Sequence, residues 1–234
     1  KNLKMNALYI IPARGGSKGI PHKNIKELNG KPLICYSIDV ARKLTTDDNI
    51  CVTTDDDDII KVVEDYGLKV PFKRPEELAS DQAGTYEVIM HAINHYAAKG
   101  TYYDTIILLQ PTSPFRKADD VKRCIEAYSD KYEMIVSVKS ASSNPYYDCF
   151  ELNNQGYLYQ SKGDGNYQRR QDAPKVYEYN GAVYIMDVEA LRKCSYNSFT
   201  KIGAIEMDEM SSLDLDTMLD WKFAELLINE GYGR

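Results

Sequence analysis

"LYIIPARGGSKGIPHKN", residues 8–24, decides how the fold is read. Its first part is an apolar, β-branched run without polar alternation, the composition of a strand covered on both faces. Pro12 closes the run, and glycines, a serine and four basic side chains (Arg14, Lys18, His22, Lys23) follow at once. A bendable basic loop directly after a first strand suits an anion. Gly15 and Gly16 put no Cβ between their backbone N–H groups and a phosphate, and Arg14, Lys18 and Lys23 can neutralise its oxygens from three directions. The Walker phosphate loop is excluded by spacing. G-x-x-x-x-G-K-[ST] is not met, because Gly15 leads to Ile20, Gly16 to Pro21, and Gly19 is followed by Ile20.

Outward from this loop the same alternation repeats. Leu8–Ala13, Ile50–Thr54, Lys69–Phe72, Thr105–Leu109 and Met134–Val138 are predicted strands. Pro32–Leu44, Asp57–Tyr66, Tyr86–Ala98 and Ala118–Tyr128 carry helical spacing between them. The expected fold is therefore α/β, a doubly wound, mostly parallel sheet in one domain over 1–234, with ligands bound at the carboxyl ends of its strands. From about residue 140 the pattern changes. Nine of the 19 tyrosines fall between 140 and 200, which sets 140–205 apart as an aromatic lobe packed on itself, on a ligand or on another subunit. The last segment, Thr217–Glu230, places Leu219, Phe223, Leu226 and Leu227 on one helical face, expected to dock on the core.

Composition narrows the function. A net charge of −6 over 234 residues argues against nucleic acid and membrane surfaces as partners, so the basic loop is a local feature for a small anion. Five cysteines without a C-x-x-C pair support neither a disulfide framework nor a zinc site. With no signal-peptide pattern and no apolar stretch of spanning length, the expectation is a soluble cytoplasmic protein.

Asp214 and Asp216 alternate at i, i+2, which in an extended segment puts both carboxylates on one face and turns Leu213 and Leu215 to the core. Two such oxygen donors facing phosphates suit Mg²⁺. Helix capping is the competing use, and Thr217 with Asp220 has the form of a capping box. The "DDDD" run at 55–58 is expected to open a helix and complement its dipole. His91 and His95, at i, i+4 on a predicted helix, are read as structural.

"IIPARGGSKGIPHKN", "KRPEELASD" (73–81), "LLQPTSPFR" (108–116), "YNGAVYIMD" (179–187) and "SLDLDT" (212–217) occur in that order. Together they resemble the blocks of the CMP-N-acylneuraminate synthetases, Rossmann-like nucleotidyltransferases that activate nine-carbon sialic-type sugar acids. The resemblance covers nearly the whole chain, and "SKGIPHKN" separates it from the related eight-carbon KDO enzymes. It implies CTP and a nine-carbon 2-keto sugar acid such as N-acetylneuraminate or KDN as substrates, Mg²⁺ or Mn²⁺ on Asp214 and Asp216, and a homodimer formed through the 140–205 lobe. The implied nucleotide residues are Arg14, Gly15, Gly16, Ser17, Lys18, Lys23, Asn24 and Ser80, with Arg74 and Thr85 holding cytosine. Lys23, Arg14, Asp214 and Asp216 are the implied catalytic set. Gln110, Arg170, Asn180 and Tyr184 are implied at the sugar acid, and Tyr196 and Phe199 in a neighbouring subunit's pocket. Arg169 competes with Arg170 for the acid's carboxylate, and Ser80 or Asp81 also reads as a helix cap. Tyr147 departs from the pattern, standing where some relatives have a basic residue. A KDO-type enzyme and a non-catalytic nucleotide-binding module are the rival readings.

Overall fold

A computed structural model describes residues 5–17, 19–79 and 84–232. The chain forms β1 (Ala7–Pro12), a short ribbon of β2 (Glu27–Leu28) and β3 (Lys31–Pro32), then α1 (Leu33–Arg42), β4 (Ile50–Thr53), α2 (Asp57–Asp65) and α3 (Thr85–Ala98). It continues with β5 (Thr105–Leu109), α4 (Ala118–Ala127), β6 (Met134–Ser140) and a hairpin of β7 (Phe150–Leu152) and β8 (Leu158–Gln160). β9 (Tyr177–Asp187), α5 (Val188–Lys193), β10 (Ile202–Glu206) and α6 (Met218–Asn229) complete it.

Six strands make the central sheet in the order β10-β6-β9-β5-β1-β4. β1 pairs in parallel with β4 and β5, and β10 with β6; only β9 runs against its neighbours. Alternate residues of β1 enter opposite cores, as a pleated strand requires. Tyr9 and Ile11 pack with Ile34, Ile38, Val63 and Val121 on one face. Leu8 and Ile10 pack with Ile89, Ile93, Leu191 and Phe199 on the other. Both faces are covered, which explains the unbroken apolar run. A third, smaller core joins Ile20, Leu28, Leu33, Phe115, Leu215 and Trp221. It pins the far end of the basic loop to the segment just before α6; a fully buried Ile contributes roughly 1.5–3 kcal/mol to such an anchor.

Three expectations change. Residues 69–72 are not a strand: one parallel bridge, Thr54 to Lys73, is all that forms, since Pro71 has no N–H to extend a ladder. Within the tyrosine-rich 140–205 stretch, 177–187 and 202–206 run in the central sheet, so 141–176 and the α5 connection at 188–201 are what lie outside it. The buried face of α6 is Trp221, Ala224 and Ile228, while Leu219 (76% exposed), Phe223 and Leu226 face outward. The indole of Trp221, 1% exposed, outweighs the leucine stripe in choosing the docking face, because it fills the third core between Ile20 and Leu215.

Candidate active site

At the carboxyl ends of β1 and β5 lies a cavity of about 480 Å³, lined by Arg14, Ser17, Gly19, Lys23, Asn24, Arg74, Thr85, Gln110 and Asp216 together with Pro12, Leu78, Val88, Pro111 and Thr112. The structure thus brings together eight residues singled out in the sequence: Arg14, Ser17, Lys23, Asn24, Arg74, Thr85, Gln110 and Asp216. Lys18 and Ser80, with Asp81, lie outside the described residues. Thr112 and Val88 were missed; Thr112 stood in the quoted "QPTSP" turn, and Val88 sits one helical turn beyond Thr85.

The basic loop is held in shape from within. Buried Asn24 donates through Nδ2 to the Arg14 carbonyl at 3.0 Å, clipping the loop's end to its start. Lys23 reaches across it, its Nζ donating to the Leu215 carbonyl at 2.8 Å and to Asp216 Oδ1 at 3.1 Å. Gly19 touches the same segment, and a Cβ there would stand 2.1 Å from the Asp216 carbonyl oxygen. Loop and acidic segment therefore meet directly at the cavity's edge.

Arg74 is 5% exposed. Its backbone N–H donates to the Thr54 carbonyl at 2.7 Å, its Nε to Thr53 Oγ1 at 3.1 Å, and its Nη2 to the Thr53 carbonyl. The end of β4 so fixes the guanidinium at the cavity wall. Burial pushes its pKa down, with the Asp55 carboxylate opposing and Arg14 adding to the fall.

The expected alternation holds at 215–216, where Leu215 is fully buried and Asp216 is exposed, but Leu213 and Asp214 are both half-buried and only Asp216 of the two carboxylates lines the cavity. Leu215 N–H donates to the Thr112 carbonyl at 2.9 Å, stitching the segment to the turn after β5. Thr217 and Asp220 form the capping box of α6, so capping needs neither Asp214 nor Asp216. Asp214 is half-buried, and its Oδ1 is shielded without a hydrogen-bond partner. Burial raises its pKa first, the Thr112 hydroxyl and Lys23 oppose, and the adjoining Asp216 carboxylate raises it further. An orphaned carboxylate oxygen beside a second carboxylate is a donor set that suits a hard divalent cation.

That strain has a measurable consequence. A carboxyl whose folded pKa is raised holds its proton more tightly in the native chain. Its contribution is intact below the ordinary Asp value of about 3.9 and is lost as pH rises through the higher folded value. In EDTA, Asp214→Asn is expected to melt above the wild type at neutral pH, with the gap narrowing as pH falls toward 4; assayed separately with Mg²⁺, it is expected to lose activity. A melting difference that does not vary with pH would contradict the assignment.

Other sequence expectations land elsewhere. Asn180 is 4% exposed. Its Oδ1 accepts from Ser137 Oγ at 2.6 Å and Ala182 N–H at 3.1 Å, and its Nδ2 donates to Ser212 Oγ at 2.9 Å. This amide is saturated in the interior. It repairs the bulge where the β6–β9 register shifts and braces the segment leading to Asp214, so it does not line the cavity as a sugar contact. Gly181 follows at φ +74°, and a Cβ there would stand 4.0 Å from Asp214 Oδ2. Phe199 is corrected as well: at 6% exposure it belongs to its own chain's core and is not offered to a neighbour. Tyr184, its phenol pushed up to about 12 by burial, has the rings of Tyr179 and Tyr196 at 6.1 and 6.4 Å. Arg170 pairs with Asp148, and Arg169 with Asp172 at 2.8 Å; both lie in the 141–176 segment, outside the cavity's lining. The rings of His91 and His95 pack on Phe72.

Arg116 was read only as part of a quoted block. At 2% exposure it donates through Nη1 to the carbonyls of Gln110 (3.0 Å) and Ala182 (2.8 Å) and through Nη2 to Ser37 Oγ (2.6 Å). Burial pulls its pKa down to about 9. It ties the end of β5, and so Gln110, to β9 and α1.

Residues 8–225 match the family model described as Cytidylyltransferase. The chain is 33% identical over 227 residues to the CMP-N,N'-diacetyllegionaminic acid synthase of Legionella pneumophila, covering 96% of this chain and 97% of that protein. It is 34% identical over 226 residues to the pseudaminic acid cytidylyltransferase of Campylobacter jejuni, covering 95% and 96%. The N-acylneuraminate cytidylyltransferase of Escherichia coli O18:K1:H7 is also 34% identical, over 95% of this chain but 52% of that longer protein. Among solved structures, CMP:2-keto-3-deoxy-manno-octonic acid synthetase complexed with CTP superposes with a TM-score of 0.69 at 17% identity, over 96% of this chain and 98% of the other; at that identity the likeness is one of fold. By sequence match over nearly its full length, the chain belongs to the cytidylyltransferase family, with the CMP-nonulosonate synthetases.

Proposed function

We propose that this chain transfers CMP from CTP to the anomeric hydroxyl of a nonulosonate, a nine-carbon 2-keto sugar acid, with pyrophosphate leaving. One observation carries the reading: a single cavity joins the basic loop, the buried Arg74 guanidinium and the carboxylate of Asp216. The relatives' names, synthases of CMP-sugar acids and cytidylyltransferases, support the substrate class. In this chemistry the sugar oxygen attacks the α-phosphorus as the bond to the β-phosphate oxygen breaks, and the protein contributes position and charge.

Arg14 and Lys23, with the loop's backbone amides, hold the triphosphate. Arg74 and Thr85 read the base, and Gln110, at the end of β5, faces the sugar acid. Tyr184 and Arg170 are proposed to complete the acid's pocket, with Tyr196 beside them. Asp214 and Asp216 would hold Mg²⁺, which when bound supplies a Lewis acid for the phosphate oxygens. A cytoplasmic location is proposed from the use of CTP; among the described residues no helix is long and apolar enough to cross a membrane.

The test is pyrophosphate release from CTP and Mg²⁺ with N-acetylneuraminate, KDN, a legionaminic-type and a pseudaminic-type acid, and KDO. Turnover with one of the nine-carbon acids is expected; turnover with KDO only would make it the eight-carbon type, and none at all a binding module. CTP should outcompete UTP and ATP. Arg74→Ala should weaken CTP binding by at least ~10-fold, the loss of a charged, fixed donor at a buried site, while the metal requirement remains. Equal rates with UTP would contradict base reading at Arg74.

A homodimer is proposed through the segment beyond the sheet. Phe150, Leu152 and Leu158 are half or more exposed on the β7–β8 hairpin, and Tyr177 and Tyr179 are exposed where β9 begins, an apolar surface of the kind that oligomers cover. Light scattering should give twice the chain mass at micromolar concentration; a monomer there would contradict the dimer.

A further inference from the structure

The aspartate run at 55–58 opens a helix as expected, but the four residues do different work. α2 begins at Asp57, and Asp56 is its cap, accepting from the N–H groups of Asp58 at 2.8 Å and Ile59 at 3.1 Å. Asp55 lies outside the helix, and its Oδ1 accepts the backbone N–H of Gly15 at 3.2 Å. The approach is close: a Cβ on Gly15 would stand 2.3 Å from Asp56 Oδ2 and 2.9 Å from Asp56 Cβ. Asp57 pairs with Lys73 at 2.7 Å, one residue before Arg74.

The same corner holds both halves of the nucleotide site. Ala13 N–H donates to the Thr53 carbonyl at 3.0 Å, and Arg74 is fixed on Thr53 and Thr54. A carboxylate this near an anion site repels the anion, a cost that is offset only where the carboxylate has its own donors. Asp55 has the Gly15 N–H, and its charge offsets the buried Arg74 guanidinium.

We propose that Asp55 is a positioning residue for the nucleotide: its hydrogen bond to Gly15 sets the Arg14–Gly15 turn at a fixed distance from Arg74, so that phosphates and base are gripped together. This rests on the reading of the cavity as a CTP site. Asp55→Ala removes the acceptor, Asp55→Ser draws its oxygen back by one bond from the Gly15 N–H, Asp55→Asn keeps an oxygen that can accept the N–H, and Asp58→Ala removes an exposed charge from the same run.

Each variant is assayed for pyrophosphate release, varying CTP and sugar acid separately, and for CTP affinity by equilibrium dialysis. The alanine and serine variants are expected to raise KM and Kd for CTP by at least ~10-fold with KM for the sugar acid within ~3-fold of wild type, the signature of a lost positioning hydrogen bond that serves one substrate. Asp55→Asn should return to within ~3-fold of wild type, and Asp58→Ala should match it. Unchanged KM and Kd for CTP in the alanine and serine variants, or an equal loss in the asparagine variant, overturn the proposal. A wild-type chain that binds no CTP overturns the cavity's reading itself, a result visible before any variant is compared.

Discussion

Asp216→Ala is expected to lower turnover with CTP by at least ~100-fold, about 2.7 kcal/mol of transition-state stabilisation, without loss of the fold. The side chain is 71% exposed and makes one ion pair, with Lys23, and exposed pairs contribute little to stability. Its backbone N–H donates to Asp220 at 3.2 Å whatever the side chain is, and Thr217 does the capping. What alanine removes is a carboxylate at the cavity, beside the orphaned oxygen of Asp214. Turnover measured at saturating CTP, alongside a thermal melt, separates the outcomes. Near-normal turnover with a lowered melting temperature would mean the acidic pair serves the helix and not the chemistry.

The second large effect is expected at Gly19, whose substitution by alanine should reduce kcat/KM for CTP by at least ~30-fold. The added methyl would meet the Asp216 carbonyl oxygen, a backbone atom that cannot rotate away as a side chain would. Ile20, fully buried next to it, keeps the loop from swinging clear. The strain falls on the contact between basic loop and carboxylates, spreading two groups proposed to act on the same phosphates. A variant with wild-type kcat/KM would show that their spacing is not held to better than a methyl group.

Much of this arrangement is legible in the sequence because it is local. The strand-to-loop transition at Pro12 and the Thr217–Asp220 box each depend on a few consecutive residues, and each forms as the spacing dictates. The misreadings are long-range. Whether Asn180 meets a ligand or the interior depends on Ser137 and Ser212, 43 and 32 residues away. Phe199 looks too aromatic for its loop until Leu8, Ile10 and Ile93 are brought beneath it. In α6, helical spacing offered two faces, and the choice fell to a cavity shaped by Ile20, Leu28 and Leu215 that one indole fits. The abundance of tyrosine likewise hid β9, whose Ala182–Met186 stretch is as apolar as any parallel strand and almost wholly buried.

That strand carries a consequence for how the protein is made. β9 is near the end of the chain but sits in the middle of the sheet, between β5 and β6. Until residues 177–187 leave the ribosome, β5-β1-β4 is a three-stranded fragment with β5 unpaired along one side, and β6 has no strand beside it. A nascent chain therefore carries open, apolar strand edges from the completion of β5 until β9 is made, the state in which proteins stick to one another. Closure of the sheet, the Asn180 bulge and placement of the carboxylate segment all wait for residues made late in the chain. A chain released short of them has the basic loop but neither a closed sheet nor the acidic segment at the cavity's edge.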